Sequence, residues 1–233
     1  MKRSLWLILP ALLVLSSNAS AQHTRSVKKY LRHGVTRFTK GDVDGAIAEY
    51  NRALEIDPTS SEAFLNRAKA RQAKRDLDGA IADYEAALLL DPQLGNVNRD
   101  LGQAHINRGE FRLSRLDVDG AIADFDRSIQ INPRDANAFL KHGRALLIQG
   151  DAKAAIFDFD QSIALEPRNP LAFVERALAH QTEGREDEAE RDFERGFRLN
   201  TDLRIMIDLH LLDLQSEIRE MRKRQAEVQK RIT

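Results

Sequence analysis

The chain has 233 residues, of which 36 are Lys or Arg and 36 are Asp or Glu, so its formal net charge is zero and gives no bulk attraction to nucleic acid. Charged residues make up 31%, hydrophobic residues 42% and aromatic residues 6%, a composition that favours helices. The lack of cysteine excludes disulfides, zinc–thiolate sites and cysteine nucleophiles.

The N-terminus has the three parts of a secretory signal peptide. Lys2 and Arg3 give a positive start, residues 5–15 form an apolar run too short to span a bilayer, and the string "ASA" ending at Ala21 is a cleavage site. We predict that residues 1–21 are removed after Ala21, which places the mature chain in the periplasm or outside the cell. An uncleaved anchor is the alternative.

A repeat follows. The string "DVDGAIA" occurs at residues 42–48 and 117–123. Aligning the first Ala of "DGAIA" with similar strings gives five alanines spaced by 34, 41, 34 and 34 residues: Ala46, Ala80, Ala121, Ala155 and Ala189. An aromatic residue lies four positions after each of them: Tyr50, Tyr84, Phe125, Phe159 and Phe193. A small residue lies twelve positions before each repeat alanine, if one insertion is allowed in the third copy: Gly34, Ala68, Gly102, Gly143 and Ala177. Proline closes the first four copies: Pro58, Pro92, Pro133 and Pro167.

This pattern resembles the tetratricopeptide repeat family, whose period is 34 residues. The resemblance implies an all-α fold, a right-handed α-solenoid of helix-turn-helix repeats in which each repeat is a pair of antiparallel helices, A and B. We predict that residues 22–201 hold five repeats, with bounds 27–60, 61–94, 95–135, 136–169 and 170–201. In this arrangement small residues allow close helix approach, and the aromatic of helix B fills the space they leave.

"DVDGAIA" then marks the turn from helix A into helix B. Asp42 and Asp44 can cap the first turn and favour its positive end. A calcium loop also begins with Asp-x-Asp-Gly, but it needs further oxygen ligands and a Glu at its end, whereas helical "GAIA" follows here at once. We therefore interpret the string as structural.

The third repeat departs from the pattern. It carries seven extra residues, which we place near "RGEFRLSRLD", between Gly109 and Asp117, and Asn98 stands where the other copies have an aromatic. Seven residues are close to two helical turns, so the insertion can lengthen a helix without rotating its buried face. Either helix A or helix B can carry it, and a family-specific contact is predicted here.

Residues 202–233 are predicted to form a long C-terminal helix, since they contain neither Pro nor Gly and repeat apolar residues at heptad spacing, with Gln225 as a polar interruption. The first half is expected to cap the last repeat. The second half is either a solvated charged helix or a coiled-coil site, which makes homo-oligomerisation through this helix a possibility.

In the family, helix A residues at repeat offsets 2, 5, 9 and 12 line a concave groove. Carried over to this sequence, those offsets give the following partner-binding candidates: Lys28, Leu31, Val35, Phe38, Leu65, Lys69, Arg99, Gln103, Leu140, Arg144, Leu147, Val174 and Leu178. Their aliphatic and basic character suits a peptide with acidic and apolar groups. Packing of the aliphatics on neighbouring helices is the alternative.

No residues are predicted to act in catalysis, in cofactor binding or as metal ligands. His33, His105, His142 and His180 lie in different repeats and never pair on one helix. Other copies have Arg at the repeat position of His33 and His142, which indicates polar packing. No nucleophile elbow, phosphate loop or pair of catalytic carboxylates is present in the sequence.

The sequence therefore predicts a non-enzymatic scaffold that binds a protein or peptide in the groove, in envelope assembly or in coordinating other complexes, with no nucleic acid partner, no cofactor and no membrane span in the mature chain. Two alternatives remain: a structural protein that self-assembles through its C-terminal helix, and a regulatory accessory subunit of an envelope enzyme.

Overall fold

The structure is a computed structural model that describes the backbone of residues 5–200 and the side chains of residues 22–200, together with Ser216, Glu220, Lys223 and Lys230. Every regular element in this part of the chain is an α-helix, so the predicted all-α fold is confirmed. Apart from these four residues, the predicted C-terminal helix of residues 202–233 lies outside the described residues, as do the side chains of the signal peptide. No helix in the described part is long and apolar enough to cross a membrane.

Ten helices follow one another in the described part. Their bounds are α1 Leu5–Thr39, α2 Val43–Ile56, α3 Ser61–Ala73, α4 Leu77–Leu90, α5 Val97–Ser114, α6 Val118–Ile131, α7 Ala136–Gln149, α8 Ala152–Leu165, α9 Pro170–Thr182 and α10 Glu186–Leu199. The chain forms two compact units, Met1–Ala104 and His105–Thr233, and each is described by itself. Helix α5 passes from the first unit into the second.

Aspartates start the B helices, as the sequence predicts. The side chains of Asp42, Asp76, Asp117 and Asp151 each accept a hydrogen bond from a backbone N–H three residues later, at 2.9–3.1 Å. This bond satisfies one of the N–H groups that a helix start leaves unpaired, and the carboxylate also favours the positive end of the helix. Helix α10 lacks such a cap, because Arg185 stands at the equivalent place. The first "DVDGAIA" is therefore a turn and a helix start.

Close contact between small and aromatic residues holds helices A and B of a repeat together. A Cβ atom added to Gly34 would lie 2.3 Å from the ring of Tyr50, and one added to Gly143 would lie 2.7 Å from the ring of Phe159. Both rings are 1% exposed or less. Glycine is needed at these two positions because the ring occupies the space in which a side chain would stand.

The position of the third-repeat insertion differs from the prediction. Gly109 faces Phe125, with 2.6 Å between the added Cβ and the ring, so Gly109 and not Gly102 is the small residue of this repeat. The extra residues therefore precede Gly102. Helix A is the longer helix, because α5 has 18 residues whereas α3, α7 and α9 have 13 or 14.

The extra residues lengthen the loop after Pro92 and the first turns of α5. Val97, Leu101 and Ala104 in these turns are buried. In the corrected register His105, not Asn98, stands at the aromatic position, and Asn98 is exposed. The string "GEFRLSRLD" is thus an ordinary helix end and turn.

Candidate peptide-binding surface

The predicted groove residues divide by burial. Five are exposed: Lys28, Val35, Lys69, Arg99 and Gln103. Three are half-buried: Phe38, Leu65 and Arg144. Five are buried: Leu31, Leu140, Leu147, Val174 and Leu178. The buried aliphatics are at most 7% exposed, and four of them belong to apolar core clusters, so they are placed to stabilise the fold.

The corrected register also changes the groove positions of the third repeat. Offsets 2, 5, 9 and 12 now fall on Gln103, Ile106, Glu110 and Leu113. Ile106 is buried and Glu110 is exposed, with its carboxylate 2.6 Å from Nζ of Lys141. Arg99 lies in the added turns of α5, outside the repeat offsets.

The accessible candidates concentrate in the first unit, on α1 and α3, which pack against each other. Val35 is 43% exposed, which is high for an aliphatic side chain, and Phe38 and Leu65 are half-buried. Lys28 and Lys69 are exposed on the same two helices. We call these five residues the α1–α3 surface. It combines apolar area with positive charge.

One of the two cations of the α1–α3 surface, Lys69, lies beside a carboxylate. Nζ of Lys69 lies 3.3 Å from Oδ2 of Asp100. Gln72, one turn further along α3, accepts a hydrogen bond of 2.8 Å from the hydroxyl of Tyr84, so its side chain is directed at α4. The polar side chains beside the surface are thus held in position by neighbouring helices.

A buried carboxylate recurs on every B helix, and sequence reasoning missed it. These residues are Glu49, Asp83, Asp124, Asp158 and Asp192, each at most 7% exposed. A basic residue of helix A lies 16 positions earlier in each repeat: His33, Arg67, Arg108, His142 and Arg176. We call these the repeat ion pairs. Their spacing of 34, 41, 34 and 34 residues, the same as that of the repeat alanines, is a signal that the sequence contained.

The second repeat shows the geometry of a repeat ion pair. Arg67 donates to both carboxylate oxygens of Asp83, at 2.8 and 2.7 Å, and Arg71 donates to the same group at 2.8 Å. Arg67 also donates to Oδ1 of Asn51 on α2, at 2.7 Å. One guanidinium therefore ties together α3, the B helix of its own repeat and the B helix of the preceding one.

The same bridge recurs in the second unit. Arg176 donates to Asp192 on α10 at 2.7 Å and to Asp160 on α8 at 2.6 Å. His142 lies 2.6 Å from Asp158 and 3.4 Å from Asp126. The histidines that invite a metal interpretation therefore sit in polar contacts between helices.

Asp124 has the densest set of donors. It contacts His105 at 3.0 Å, Arg108 at 2.6 Å and Arg112 at 2.8 Å. Burial by itself raises the pKa of Asp124, but the hydrogen bonds from His105 and Arg108 and the charges of Arg108 and Arg112 outweigh it, so the pKa lies below its usual value. This carboxylate is buried and charged, and its His–Asp contact is closed to solvent.

These His and carboxylate groups form no metal centre in the part of the chain that the structure describes. Among the described residues, no three His, Asp or Glu side chains lie close enough together to hold a metal ion. Their recurring contacts join helices, which is a structural use.

Comparisons with known proteins agree with the helix pattern. A family model described as a TPR repeat matches residues 34–74, and one described as a tetratricopeptide repeat matches residues 65–136, 99–162 and 140–198. A comparison with curated proteins gives no match.

Several solved structures are similar. A crystal structure of MamA protein has 26% identity and a TM-score of 0.61, covering 77% of this chain and 94% of that one. A second MamA structure has 27% identity and a TM-score of 0.57, with coverage of 72% and 95%. YrrB, described as a TPR protein with an unusual peptide-binding site, has 18% identity and a TM-score of 0.60, with coverage of 84% and 97%, and at this identity the likeness concerns the fold.

Proposed function

The chain belongs to the tetratricopeptide repeat family, and from that membership we propose that it is a non-enzymatic scaffold that binds a protein or peptide. The observation that carries the proposal is the α1–α3 surface, where Val35 is 43% exposed and the cations Lys28 and Lys69 are exposed on the same two helices. Exposed apolar area beside fixed charge is typical of a surface that binds a partner.

The preferred ligand follows from this chemistry. An aliphatic or aromatic side chain of a peptide can cover Val35 and the half-buried Phe38 and Leu65. A neighbouring carboxylate can pair with Lys28, whereas Lys69 already lies 3.3 Å from Asp100. Each contact alone is weak, because an exposed ion pair contributes about 0.2–1 kcal/mol. The apolar contact is therefore expected to supply most of the affinity, and the cations to supply orientation.

The cellular setting is also part of the proposal. The signal peptide features of residues 1–21 support export, and the interaction surface supports a role in envelope assembly or in coordinating envelope complexes. Pairing between chains through residues 202–233 remains an additional proposal, supported by the heptad spacing of that segment.

The test is peptide selection followed by binding measurements. A random peptide library is selected on the full chain, and the affinities of the selected peptides are measured by fluorescence anisotropy. Val35→Asp is expected to weaken them at least tenfold, because a carboxylate in the apolar part of the surface opposes both the apolar and the acidic groups of the ligand.

Phe157→Asp is the matched control, since Phe157 is 62% exposed on α8 and lies outside the surface. It is expected to leave the affinities unchanged. The proposal fails if the Val35 variant, folded as judged by circular dichroism, binds the peptides as tightly as the wild type, or if the Phe157 variant alone loses them.

A further inference from the structure

A second feature of the first unit is a row of cations on α1 that the groove prediction does not use. Arg25, Lys29 and Arg32 are exposed and spaced four and three residues apart, so they lie on one side of the helix. Val27 and Leu31, 7% and 6% exposed, face the core on the other side. We call the three cations the basic row.

Acidic residues are absent from the sequence around the basic row. The sequence contains no Asp or Glu before Asp42, and none of the three cations has a carboxylate partner among the described residues. By contrast, Arg37 lies 2.6 Å from Asp42 and Lys74 lies 2.6 Å from Asp44, so these two cations of the unit are paired. The basic row thus places three positive charges, none with a described carboxylate partner, on one exposed face of α1.

An open depression of about 530 Å³ lies along this face. Its lining contains no acidic residue: Thr24, Arg25, Lys28, Lys29 and Arg32. A second depression, of about 560 Å³, shares Thr24 and Lys28 with the first and is also lined by Asp57 and Glu62, so the purely basic lining ends there.

We propose that the basic row docks the protein on an anionic lipid surface. Its ammonium and guanidinium groups lie on one exposed helix face and pair with no carboxylate in the described part of the chain, which suits many mobile phosphate groups better than one shaped peptide. The row lies after the predicted cleavage site at Ala21, so precursor and mature chain both carry it.

Its place in the chain fits the same partner. Helix α1 runs without a break from Leu5 to Thr39, and the apolar sequence of residues 5–15 precedes Arg25 in it. At 1.5 Å per residue, Leu15 and Arg25 are about 15 Å apart along the helix axis. In the precursor, which retains residues 5–15, basic residues at such a short distance from an apolar segment are well placed to contact lipid headgroups. In the mature chain the basic row acts through its charge alone.

The proposal is tested with the full chain and vesicles of two compositions, phosphatidylcholine alone and phosphatidylcholine with phosphatidylserine. The measured quantity is the ratio of binding to the anionic and neutral vesicles, in which any contribution of the apolar N-terminus cancels. Arg25→Gln, Lys29→Gln and Arg32→Gln together should lower this ratio about a hundredfold at low salt, at roughly fivefold for each basic residue. Gln is used because it retains helix propensity.

The matched control replaces three exposed arginines of the second unit, Arg134, Arg168 and Arg195, with Gln and keeps the basic row. It loses the same charge and should retain most of the ratio. Lys28 is left intact in both variants, so peptide binding at the α1–α3 surface is tested separately.

Three results would overturn the proposal: equal binding of the wild type to both vesicles, equal losses in the two triple variants, or binding of soluble polyglutamate through the basic row without binding of anionic vesicles. The last result would assign the row to an acidic protein partner. Binding to anionic vesicles that falls with salt and depends on the basic row would support a lipid surface.

Discussion

At the scale of the residue, one backbone conformation recurs at every turn between helices A and B. Its φ is positive at Gly41 (82°), Arg75 (64°), Leu116 (62°), Gly150 (104°) and Gly184 (73°). Side chains with a Cβ are disfavoured in this region, by roughly 1–2 kcal/mol, whereas glycine enters it freely. Two of the five turns therefore carry strain that the other three avoid.

Arg75→Gly should relieve this strain. Arg75 is exposed, so few contacts are lost, and we expect the free energy of unfolding to rise by about 0.5–1 kcal/mol. Gly150→Ala should lower the free energy of unfolding by about 1 kcal/mol, because it places a Cβ on a residue with positive φ. Urea denaturation of the two variants measures both changes, and a destabilised Arg75→Gly variant would show that the turn is not strained.

His180 provides a prediction for pH. Burial lowers its pKa, the charges of Arg176 and Arg185 lower it further, and Asp192 and Glu188 act in the opposite direction. The folded chain thus favours neutral His180, and this contribution to stability is full above the ordinary histidine pKa of about 6.5 and is lost as the pH falls below it.

Replacing His180 by a residue that does not titrate tests this pH dependence. The stability of His180→Gln should fall less than that of the wild type between pH 7 and pH 5.5, as measured by urea denaturation at each pH. Identical losses in the two proteins would mean that His180 does not contribute to the pH dependence in this range.

At the scale of the element, the repeat ion pairs join the helices. Asp83→Ala leaves Arg67 and Arg71 half-buried without their carboxylate, and we expect it to lower the free energy of unfolding by about 3 kcal/mol. Asp44→Ala is the control, because its exposed pair with Lys74 lies at the surface, and the melting temperature should barely change. Comparable losses would contradict a special role of the buried pair.

The third repeat tests the corrected register. Gly109→Val places a side chain into the ring of Phe125 and should cost about 2–3 kcal/mol, since the core has no room for it. Asn98→Ala, at an exposed position, should change stability by less than about 0.5 kcal/mol. Thermal unfolding measures the stability loss of both variants. A larger loss for Asn98→Ala than for Gly109→Val would contradict the corrected register.

The sequence predicted the helix pairs and their caps well, because the small, aromatic, acidic and proline positions recur at fixed offsets. It misplaced the insertion for a physical reason. Gly102 and Gly109 are seven residues apart, nearly two helical turns, so both lie on a similar face of α5 and both fit the small position. Only the contact with Phe125 distinguishes them.

Groove accessibility was less predictable. Leu65 and Leu140 share a repeat offset, yet the first is half-buried and the second is 7% exposed. Offset determines the direction of a side chain, but the bulk of the neighbouring helices determines how much of it solvent reaches. The exposure of the α1–α3 surface therefore became visible only in the folded first unit, where the neighbouring helices are in place.

At the scale of the whole molecule, export is the first expectation to test. When the chain is expressed with its own N-terminus in a bacterial host, N-terminal sequencing of the periplasmic protein should begin at Gln22. An intact N-terminus, or retention of the whole product in the cytoplasm, would contradict the predicted signal peptide.

The α1–α3 surface is the central claim at this scale, and site-specific photo-crosslinking tests it most directly. A photoreactive amino acid replaces Val35 in one variant and Phe157 in another, and each is irradiated with a peptide selected on the wild-type chain. We predict a covalent adduct at position 35 and none at position 157. An adduct at position 157 alone would contradict peptide binding at this surface.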